Sequence, residues 1–346
     1  MLSLAIIGLA ALGAVATPPS ESDTALDRAI RHRLESFQGR LGLAVVDVSK
    51  GRRYGLEAEE PMYLASGVKL AFMVSVFRAI RDGLVEADEA LFYGPDDIRD
   101  GAPRINKKRV GSKLPLRDVL EYMMRSSDNA ASDLVVDRVG LDYVQESLLA
   151  EKLYGFTPIV RLIDVRRGFY RGLDVRADDL APLEVRTARW TTIWDPQVRK
   201  LEELMGRPRR AFSKEALLAG YDRFYETGVN RAPMRVIAQL FEKMLEGTLV
   251  SARASEQMLE LMSGARTSKN RLIKGLPRGT LVAHKTGSQY FHFCDLGVAF
   301  LPGGATPRSN PLIVTMCTDG APVNEAEPVM AFAAREAYRW AMEARS

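Results

Sequence analysis

The chain has 346 residues, of which 47% are hydrophobic and 27% are charged, and its formal net charge at pH 7 is +4. These values are ordinary for a globular protein of one large or two medium domains and argue against a disordered or fibrous chain. Two cysteines and three histidines are too few for a disulfide scaffold or a cysteine-rich zinc site, so we expect no metal and no cofactor.

The N-terminus has the pattern of an export signal. An apolar run from Leu4 to Ala14 leads into Ala14-Val15-Ala16, which has the small-x-small pattern of a signal-peptidase site. We predict a signal peptide over residues 1–16, cleaved after Ala16, and a secreted or periplasmic mature protein. An uncleaved anchor is the alternative because no Lys or Arg precedes the run, although ~15 apolar residues are short for a bilayer. No later segment has the ~18 uninterrupted apolar residues of a membrane span, so we expect the mature protein not to be transmembrane.

Strand patterns occur near both ends of the chain, with helical patterns between them. Two strands flank a turn at Ser49-Lys50-Gly51, and three β-rich runs, "TLVAHKTGSQY", "CDLGVAFLP" and "PLIVTMCTD", precede a closing helix in "PVMAFAAREAYRWAMEA". Helical spacing predicts helices over Asp23–Phe37, Gly67–Asp82, Leu116–Arg125, Ala130–Val139, Asp142–Leu149 and Ala232–Glu246.

This order predicts an α+β fold of the α/β-sandwich type. We expect an antiparallel sheet of about five strands, built from both termini and flanked by helices, with an inserted all-α domain and the active site between the two parts. The predicted limits are residues 23–60 plus 255–346 for the α/β domain and residues 61–254 for the all-α domain.

The stretch "YLASGVKLAF" places a serine before an apolar helix, with a lysine one turn later. Positions three apart share a helix face, so Ser66 and Lys69 would point the same way. One interpretation is structural, with Ser66 as a helix cap and Lys69 reaching the surface. The other is chemical: Ser66 is a nucleophile near backbone N–H groups, and Lys69 takes its proton. These residues alone do not decide between the two.

The segment from residue 157 to residue 230 is the least regular part of the chain. Its arginines, its aspartates and the cluster "RWTTIWDP" follow no single periodicity, which predicts long loops of the kind that are often functional. Seven arginines occur between Arg161 and Arg189. The segment lacks the interleaved aromatics or helical motif of a nucleic-acid reader, so we predict no nucleic-acid partner. A solvated basic face is expected, and affinity for an anionic surface such as a cell-wall polymer is the alternative.

The two cysteines, Cys294 and Cys317, lie in apolar runs with strand character. They could form one cross-strand disulfide or remain as two buried thiols. The sequence leaves both alternatives open.

Two further motifs join the first one. Ser127-Asp128-Asn129 follows an apolar helix, and Lys285-Thr286-Gly287 ends a strand. Each string is common by itself. In the order S-x-x-K, S-D-N and K-T-G, on a helix start, a helix–helix loop and a strand, they form the motif set of class A β-lactamases and penicillin-binding proteins. The chain resembles this superfamily of serine hydrolases over roughly Asp23–Leu141 and Asn230–Arg345.

The resemblance implies a covalent mechanism. Ser66 would attack a carbonyl carbon and form an acyl-enzyme, with Lys69 as the base. Ser127 would pass a proton to the leaving nitrogen, and Lys285 would supply positive charge beside it. The backbone N–H groups of Ser66 and Ser288 would form the oxyanion hole.

The resemblance also implies substrate-binding residues. Asn129 would hydrogen-bond the amide side chain of the substrate, and Thr286 and Ser288 would bind a substrate carboxylate. Arg271 occupies a position where some members carry a substitute arginine for that carboxylate. A surface arginine without such a role is the alternative for Arg271.

The chain departs from the family pattern after the second motif. Class A β-lactamases use a glutamate roughly 35 residues after S-D-N to activate the water for deacylation. The corresponding window here has no glutamate, and Asp133 replaces the usual asparagine that contacts the omega loop. We therefore expect an enlarged omega-loop-like segment over residues 157–230. The candidates for a relocated base are Asp164, which is closest to the expected place, Asp174, Asp178 and Asp179.

The leading hypothesis is an exported serine hydrolase that forms an acyl-enzyme on Ser66. Its substrate would be a small molecule or a peptide, cleaved at a peptide, amide or ester bond, with a cell-wall D-alanyl peptide as one example and with slow turnover of β-lactams. A true class A-like β-lactamase with a relocated base is one alternative, and a non-catalytic penicillin-recognising or partner-binding protein is another. We expect a monomer.

Overall fold

The computed structural model describes residues 21–189, 194–303, 306 and 308–343. Its main sheet is antiparallel and has the strand order β2-β1-β9-β8-β7. The five strands of this sheet and two short strand pairs are β1 (Arg40–Asp47), β2 (Arg52–Leu56), β3 (Pro61–Tyr63), β4 (Ala90–Phe92), β5 (Lys113–Pro115), β6 (Arg231–Pro233), β7 (Leu281–Gln289), β8 (His292–Phe300) and β9 (Pro311–Asp319). The predicted five-stranded sheet built from both ends of the chain is confirmed.

Helices cover both faces of this sheet. They also make up most of the chain between β2 and β7. They are α1 (Glu21–Leu34), α2 (Lys69–Arg81), α3 (Leu116–Arg125), α4 (Asn129–Val139), α5 (Leu141–Ala150), α6 (Leu162–Arg171), α7 (Pro182–Ala188), α8 (Trp194–Leu204), α9 (Lys214–Glu226), α10 (Met234–Leu245), α11 (Ala252–Ser263), α12 (Leu272–Gly275) and α13 (Val323–Met342). One apolar core joins a sheet face to α1 and α13, and a second joins the other face to α2, α3, α4 and α10. Burial of these two faces fixes the sheet between helical layers.

The predicted limits of the two domains stay a prediction, and two features of the fold bear on them. The range 61–254 is mainly helical, but it contains the antiparallel pairs β3–β6 and β4–β5. The proposed boundary at 254/255 falls inside α11, which runs without a break from Ala252 to Ser263. Helix α11 packs against β7 and is continuous across residue 254, so a domain boundary at that residue would cut through a helix.

The segment over residues 157–230 is not a long loop. It forms α6 to α9, and these helices enclose an apolar core of their own that includes Phe169, Tyr221 and Phe224. The rings of Phe169 and Tyr221 are stacked with their centroids 4.0 Å apart. Helices α6 and α9 cross so closely that a Cβ atom on Gly172 would lie 2.3 Å from the Cα of Gly220. The prediction of long loops was wrong: α9 buries Leu217, Tyr221, Phe224 and Tyr225 at helical spacing, a pattern that the sequence analysis missed among the charged residues of this segment.

The two ends of this helical segment meet. The N–H of Thr157 donates to the carbonyl of Arg231 at 3.0 Å, and the N–H of Asn230 donates to the carbonyl of Pro158 at 2.9 Å. The chain therefore leaves the body of the protein and returns to it at neighbouring points.

Two other sequence predictions concern cross-links and membranes. Cys294 and Cys317 face each other in the β8–β9 register and form a disulfide, which decides between the two alternatives for these cysteines. Within the described residues, no helix has both the length and the apolar character needed to cross a bilayer. The predicted signal peptide, residues 1–16, lies outside the described residues.

Candidate active site

Ser66 lies in a short 3-10 turn, Ala65–Val68, that leads directly into α2 at Lys69. Ala65 has a φ of +47°, a left-handed conformation that is costly for a residue with a Cβ. Strand β7 packs on this turn so closely that a Cβ atom on Gly287 would lie 2.2 Å from the carbonyl oxygen of Leu64. The glycine of the third motif is thus required for the strand to reach the serine turn.

The side chain of Lys69 is buried, with no exposed surface. Its Nζ donates to the carbonyl of Ser127 at 2.6 Å, to Ser127 Oγ at 3.1 Å and to Asn129 Oδ1 at 2.8 Å. Burial lowers the pKa of Lys69 to about 7, against the opposing effect of nearby carboxylates, chiefly Asp128. A substantial fraction of Lys69 is therefore neutral near pH 7 and able to accept a proton. The structural interpretation, in which this lysine reaches the surface, is wrong.

Ser127 connects the two buried lysines. It has a φ of 55°, and its Oγ accepts from Lys285 Nζ at 2.9 Å as well as from Lys69. The side chain of Lys285 is also fully buried, and its Nζ donates to the carbonyl of Thr286 at 2.7 Å. Burial and the neighbouring Lys69 hold the pKa of Lys285 well below its usual value. The arrangement gives a continuous path for a proton from Lys69 through Ser127 to Lys285.

Arg271 lies beneath the end of β7 and is only 2% exposed, so the surface alternative for this residue is wrong. Its Nη2 donates to Ser288 Oγ at 2.7 Å, and its Nη1 donates to the carbonyl of Gly287 at 2.7 Å. Its Nε pairs with Glu327 at 3.2 Å. Arg271 therefore places positive charge directly behind the Ser288 hydroxyl. Thr286, the other hydroxyl of this strand end, donates to Thr267 Oγ1 at 2.7 Å.

A cavity opens over Ser66. Its wall includes Asn129 and Ser288, two of the residues proposed from the motifs. No aspartate or glutamate is among the described residues that line it, which are Tyr63, Ala65, Ser66, Asn129, Leu162, Val165, Arg166, Ser288 and Gln289. The side of this cavity that α6 contributes therefore consists of Leu162, Val165 and Arg166.

Asp133 explains how α6 is held at this cavity. Its carboxylate is buried and accepts from the N–H groups of Leu162 at 2.7 Å and Ile163 at 3.0 Å. It also accepts from Arg99 Nε at 2.6 Å. The residue that replaces the usual asparagine thus caps the N-terminus of a rebuilt segment, where a negative charge is favoured by the helix dipole.

Three of the four aspartates proposed as a relocated base are engaged elsewhere. Asp164 pairs with Arg161 at 2.9 Å and lines a different cavity, together with Asp178. Asp174 pairs with Arg207 and Arg176, and Asp178 pairs with Arg171. The fourth, Asp179, is exposed and is absent from the cavity over Ser66. The structure brings none of them to Ser66.

Arg166 is a site residue that the sequence did not reveal. It lines the cavity over Ser66, and its Nε and Nη2 both reach Asp100 Oδ2, at 2.8 Å and 2.7 Å. The only sequence signal was its place within the arginine-rich stretch. The spacing from the second motif identified the window but could not show which of its residues face Ser66.

A model of one protein family matches residues 25–341, which is most of the chain. The protein belongs to the beta-lactamase enzyme family. In this chain, Lys69 and Lys285 from the first and third motifs both contact Ser127 of the second.

Among curated relatives, all modest in identity, a beta-lactamase of Streptomyces fradiae is 25% identical over 331 residues, covering 93% of this chain and 89% of the relative. A beta-lactamase of Amycolatopsis lactamdurans is 29% identical over 128 residues, covering 37% of this chain and 40% of the relative. The chain thus spans about two fifths of the length of that relative.

Solved structures share the fold of this family. PBP-A has a TM-score of 0.68 at 19% identity, covering 91% of this chain and 95% of that chain. A beta-lactamase from Xanthomonas campestris has a TM-score of 0.67 at 19% identity, covering 91% and 97%. A mutant of PBP-A solved as an acyl-enzyme complex with penicillin G has a TM-score of 0.67 at 18% identity, covering 91% and 95%.

Proposed function

We propose that the protein is a serine hydrolase that forms an acyl-enzyme on Ser66 and releases the acyl group slowly when the substrate is a β-lactam. Neutral Lys69 takes the proton of the Ser66 hydroxyl while Ser66 Oγ forms a bond to the carbonyl carbon of the substrate. The backbone N–H groups of Ser66 and Ser288 stabilise the oxyanion, and Ser127 passes a proton to the nitrogen as the C–N bond breaks. Asn129 binds the acyl amide. Thr286 and Ser288, with Arg271 behind them, bind the substrate carboxylate.

The proposal of slow deacylation rests on the residues that line the cavity over Ser66. Hydrolysis of an acyl-enzyme needs a water beside the ester and a base within about 3 Å of that water. The α6 side of the cavity supplies Leu162, Val165 and Arg166, none of which accepts a proton at neutral pH. The carboxylate of Asp100, which pairs with Arg166, has one oxygen occupied by two guanidinium nitrogens of that arginine.

The natural reaction proposed for this site is cleavage of a peptide, amide or ester, with a D-alanyl peptide of the cell wall as the leading example. An amine acceptor, or water admitted by a peptide-shaped site, would attack the natural acyl-enzyme and release the acyl group from Ser66 by a route that a bulky β-lactam adduct blocks. Export through the segment at residues 1–16 is part of the proposal and would place the enzyme with such substrates; N-terminal sequencing of the secreted protein tests the cleavage after Ala16.

A time course with a fluorescent penicillin tests the proposal. We expect one equivalent of label to form quickly and persist, with Ser66 as the labelled residue in peptide mapping. Ser66→Ala should remain unlabelled, and label retained by that variant would refute the assignment of the nucleophile. No label on the folded wild-type protein would favour a non-catalytic receptor.

A β-lactamase is the second candidate because the curated relatives carry that name. It predicts rapid multiple turnover of a penicillin or cephalosporin by the purified protein. A burst of one equivalent followed by a slow steady state is the result expected from the first proposal.

A further inference from the structure

The cavity over Ser66 is small for the substrates proposed for it. Its volume is about 50 Å³. Pockets that bind small ligands usually measure about 300–1,000 Å³. The acyl group of a penicillin or of a peptide therefore does not fit into the cavity while its walls stand where they do. One of these walls has to move when an acyl group of that size binds.

An outer cavity of about 550 Å³ lies beside the cavity over Ser66, and its lining includes residues 99–103 and Lys107. Arg166 lines both cavities, and no other described residue does so. The side chain of Arg166 is therefore the partition between the two. With that side chain turned away, the joined space would have the size of an ordinary ligand pocket.

One side of this partition is fixed to the site through Asn129. The Oδ1 of Asn129 accepts from Lys69 Nζ at 2.8 Å, and its Nδ2 donates to the carbonyl of Asp100 at 2.9 Å. The next residue, Gly101, has a φ of +61°, and a Cβ atom on it would lie 2.7 Å from Asn129 Nδ2. Asp100 is thus held directly against the residue proposed to bind the acyl amide.

The other side of the partition is the long side chain of Arg166. Its Nε donates to Asp100 Oδ2 at 2.8 Å, and its Nη2 lies 2.7 Å from the same oxygen. No other described carboxylate pairs with Arg166, so one ion pair holds the partition closed. Helix α6 itself is held separately, by the cap that Asp133 forms at its N-terminus. The Arg166 side chain can therefore change rotamer while the helix stays in place.

The partition lies in the direction that the acyl group of a bound substrate takes. In the proposed mechanism the acyl amide binds Asn129, so the atoms beyond that amide extend toward Asp100 and Arg166. A short acyl group ends before the ion pair. A longer one meets the pair and enters the outer cavity only after the pair has opened.

We propose that Arg166 is a specificity-determining residue that acts as a gate on the acyl side of Ser66. Paired with Asp100, it limits the cavity over Ser66 to short acyl groups; turned away, it joins the outer cavity to the site. The inference rests on the proposed acyl transfer to Ser66 and adds the size of the preferred donor. The favoured substrates are donors with a short acyl group, such as an amino acid residue that carries a small N-acyl group.

The acetyl and phenylacetyl derivatives of 6-aminopenicillanic acid are matched probes, because they share the nucleus and the amide and differ by one phenyl group. The rate constant for acylation of the full-length protein is measured for each by intact mass. We expect wild type to favour the acetyl derivative. Arg166→Ala should lose about 10-fold or more of that preference, the scale of one hydrogen bond between charged groups.

Asp100→Asn separates a gate from a fixed wall, because it keeps the size of both side chains and removes the charge that holds them together. It should lose about 3-fold or more of the preference, since a charge-assisted hydrogen bond is roughly twice as strong as a neutral one. Arg171→Ala is the control, because Arg171 lies on the same helix but pairs with Asp178 in a different cavity. It should keep the wild-type preference, and circular dichroism shows whether each variant is folded.

Equal use of the two probes by wild type would overturn the inference while leaving acyl transfer intact. A preference that survives in both folded variants would do the same. A loss in Arg166→Ala alone, with Asp100→Asn like wild type, would make Arg166 a fixed wall and would also overturn the gate. Failure of both probes to acylate wild type would instead contradict the proposed function.

Discussion

Ser127 Oγ accepts a hydrogen bond of 2.9 Å from Lys285 Nζ. The bond joins the loop before α4 to strand β7, and Lys69 reaches the same hydroxyl from α2 at 3.1 Å. Burial lowers the pKa of both amines. A hydroxyl held between two such amines can pass a proton in either direction with little movement.

This arrangement predicts a defect in acylation when either side of the relay is removed. Lys69→Ala and Ser127→Ala should each slow acylation by a β-lactam about 10²-fold or more, the usual scale for a proton-transfer group. Labelling rates measure the effect, and circular dichroism shows whether each variant is folded. Folded variants that react at the wild-type rate would assign both residues a structural role only.

The pH dependence of acylation follows from the pKa of Lys69. In the proposed mechanism the neutral amine of Lys69 is the base, and its pKa is about 7, so acylation should rise with pH and reach half of its plateau near pH 7. An unperturbed lysine would place the midpoint near pH 10.4. Adduct formation followed from pH 5.5 to about 9 distinguishes the two. A rate that falls over this range would exclude Lys69 as the base.

The cavity wall predicts that a carboxylate added there would speed deacylation. Leu162→Glu places an acid on the wall that Leu162 shares with Ser66, so the half-life of a penicillin adduct should shorten by about 10-fold or more. Leu162→Gln is the matched control, since it has the same size but no basic oxygen. Equal effects of the two substitutions would show that steric change, and not proton transfer, controls the rate.

Asp133 should contribute strongly to stability. Asp133→Ala removes the cap of α6 and leaves Arg99, which is 3% exposed, without its buried partner. Breaking a buried ion pair from one side costs about 3–5 kcal/mol. Urea unfolding measures the loss, and Asp137→Ala, whose carboxylate pairs near the surface with Arg161, is the control with an expected loss below about 1 kcal/mol. A loss for Asp133→Ala as small as that of the control would contradict the role of Asp133.

The parts of the site that could be predicted from the sequence are the residues that belong to short, contiguous motifs. Ser66, Lys69, Ser127 and Lys285 each belong to a short motif with its own structural setting, and the fold brings these motifs together. The sheet was equally readable because its strands are β-rich runs bounded by turn residues. Helix α3 was predicted closely because it carries an apolar face at helical spacing, and α2 because most of its residues are apolar and buried.

The parts that could not be predicted depend on contacts between distant segments. An arginine is usually exposed, so nothing in the sequence near Arg271 indicates that Glu327 and two strand carbonyls bury it. The role of Arg166 depends on which face of α6 turns toward Ser66, and that orientation is set by Asp133, 33 residues earlier. The helical character of residues 157–230 was readable in part, since α9 buries Leu217, Tyr221 and Phe224 at helical spacing, but the contacts between these helices were not.

The paired ends of that helical segment suggest how it could be gained or lost in evolution. Thr157 bonds to Arg231 and Asn230 bonds to Pro158, so a short connector could bridge the gap without moving β6 or α5. The cost of closing a chain varies slowly with its length, so insertions at such a point are tolerated. Tyr63 and Ala65, which lie close to Ser66 in the sequence, pack into the core of the segment. In the proposed mechanism, one modular exchange at this point would therefore alter substrate choice and the fate of the acyl group together, while the residues proposed for acylation stay in place.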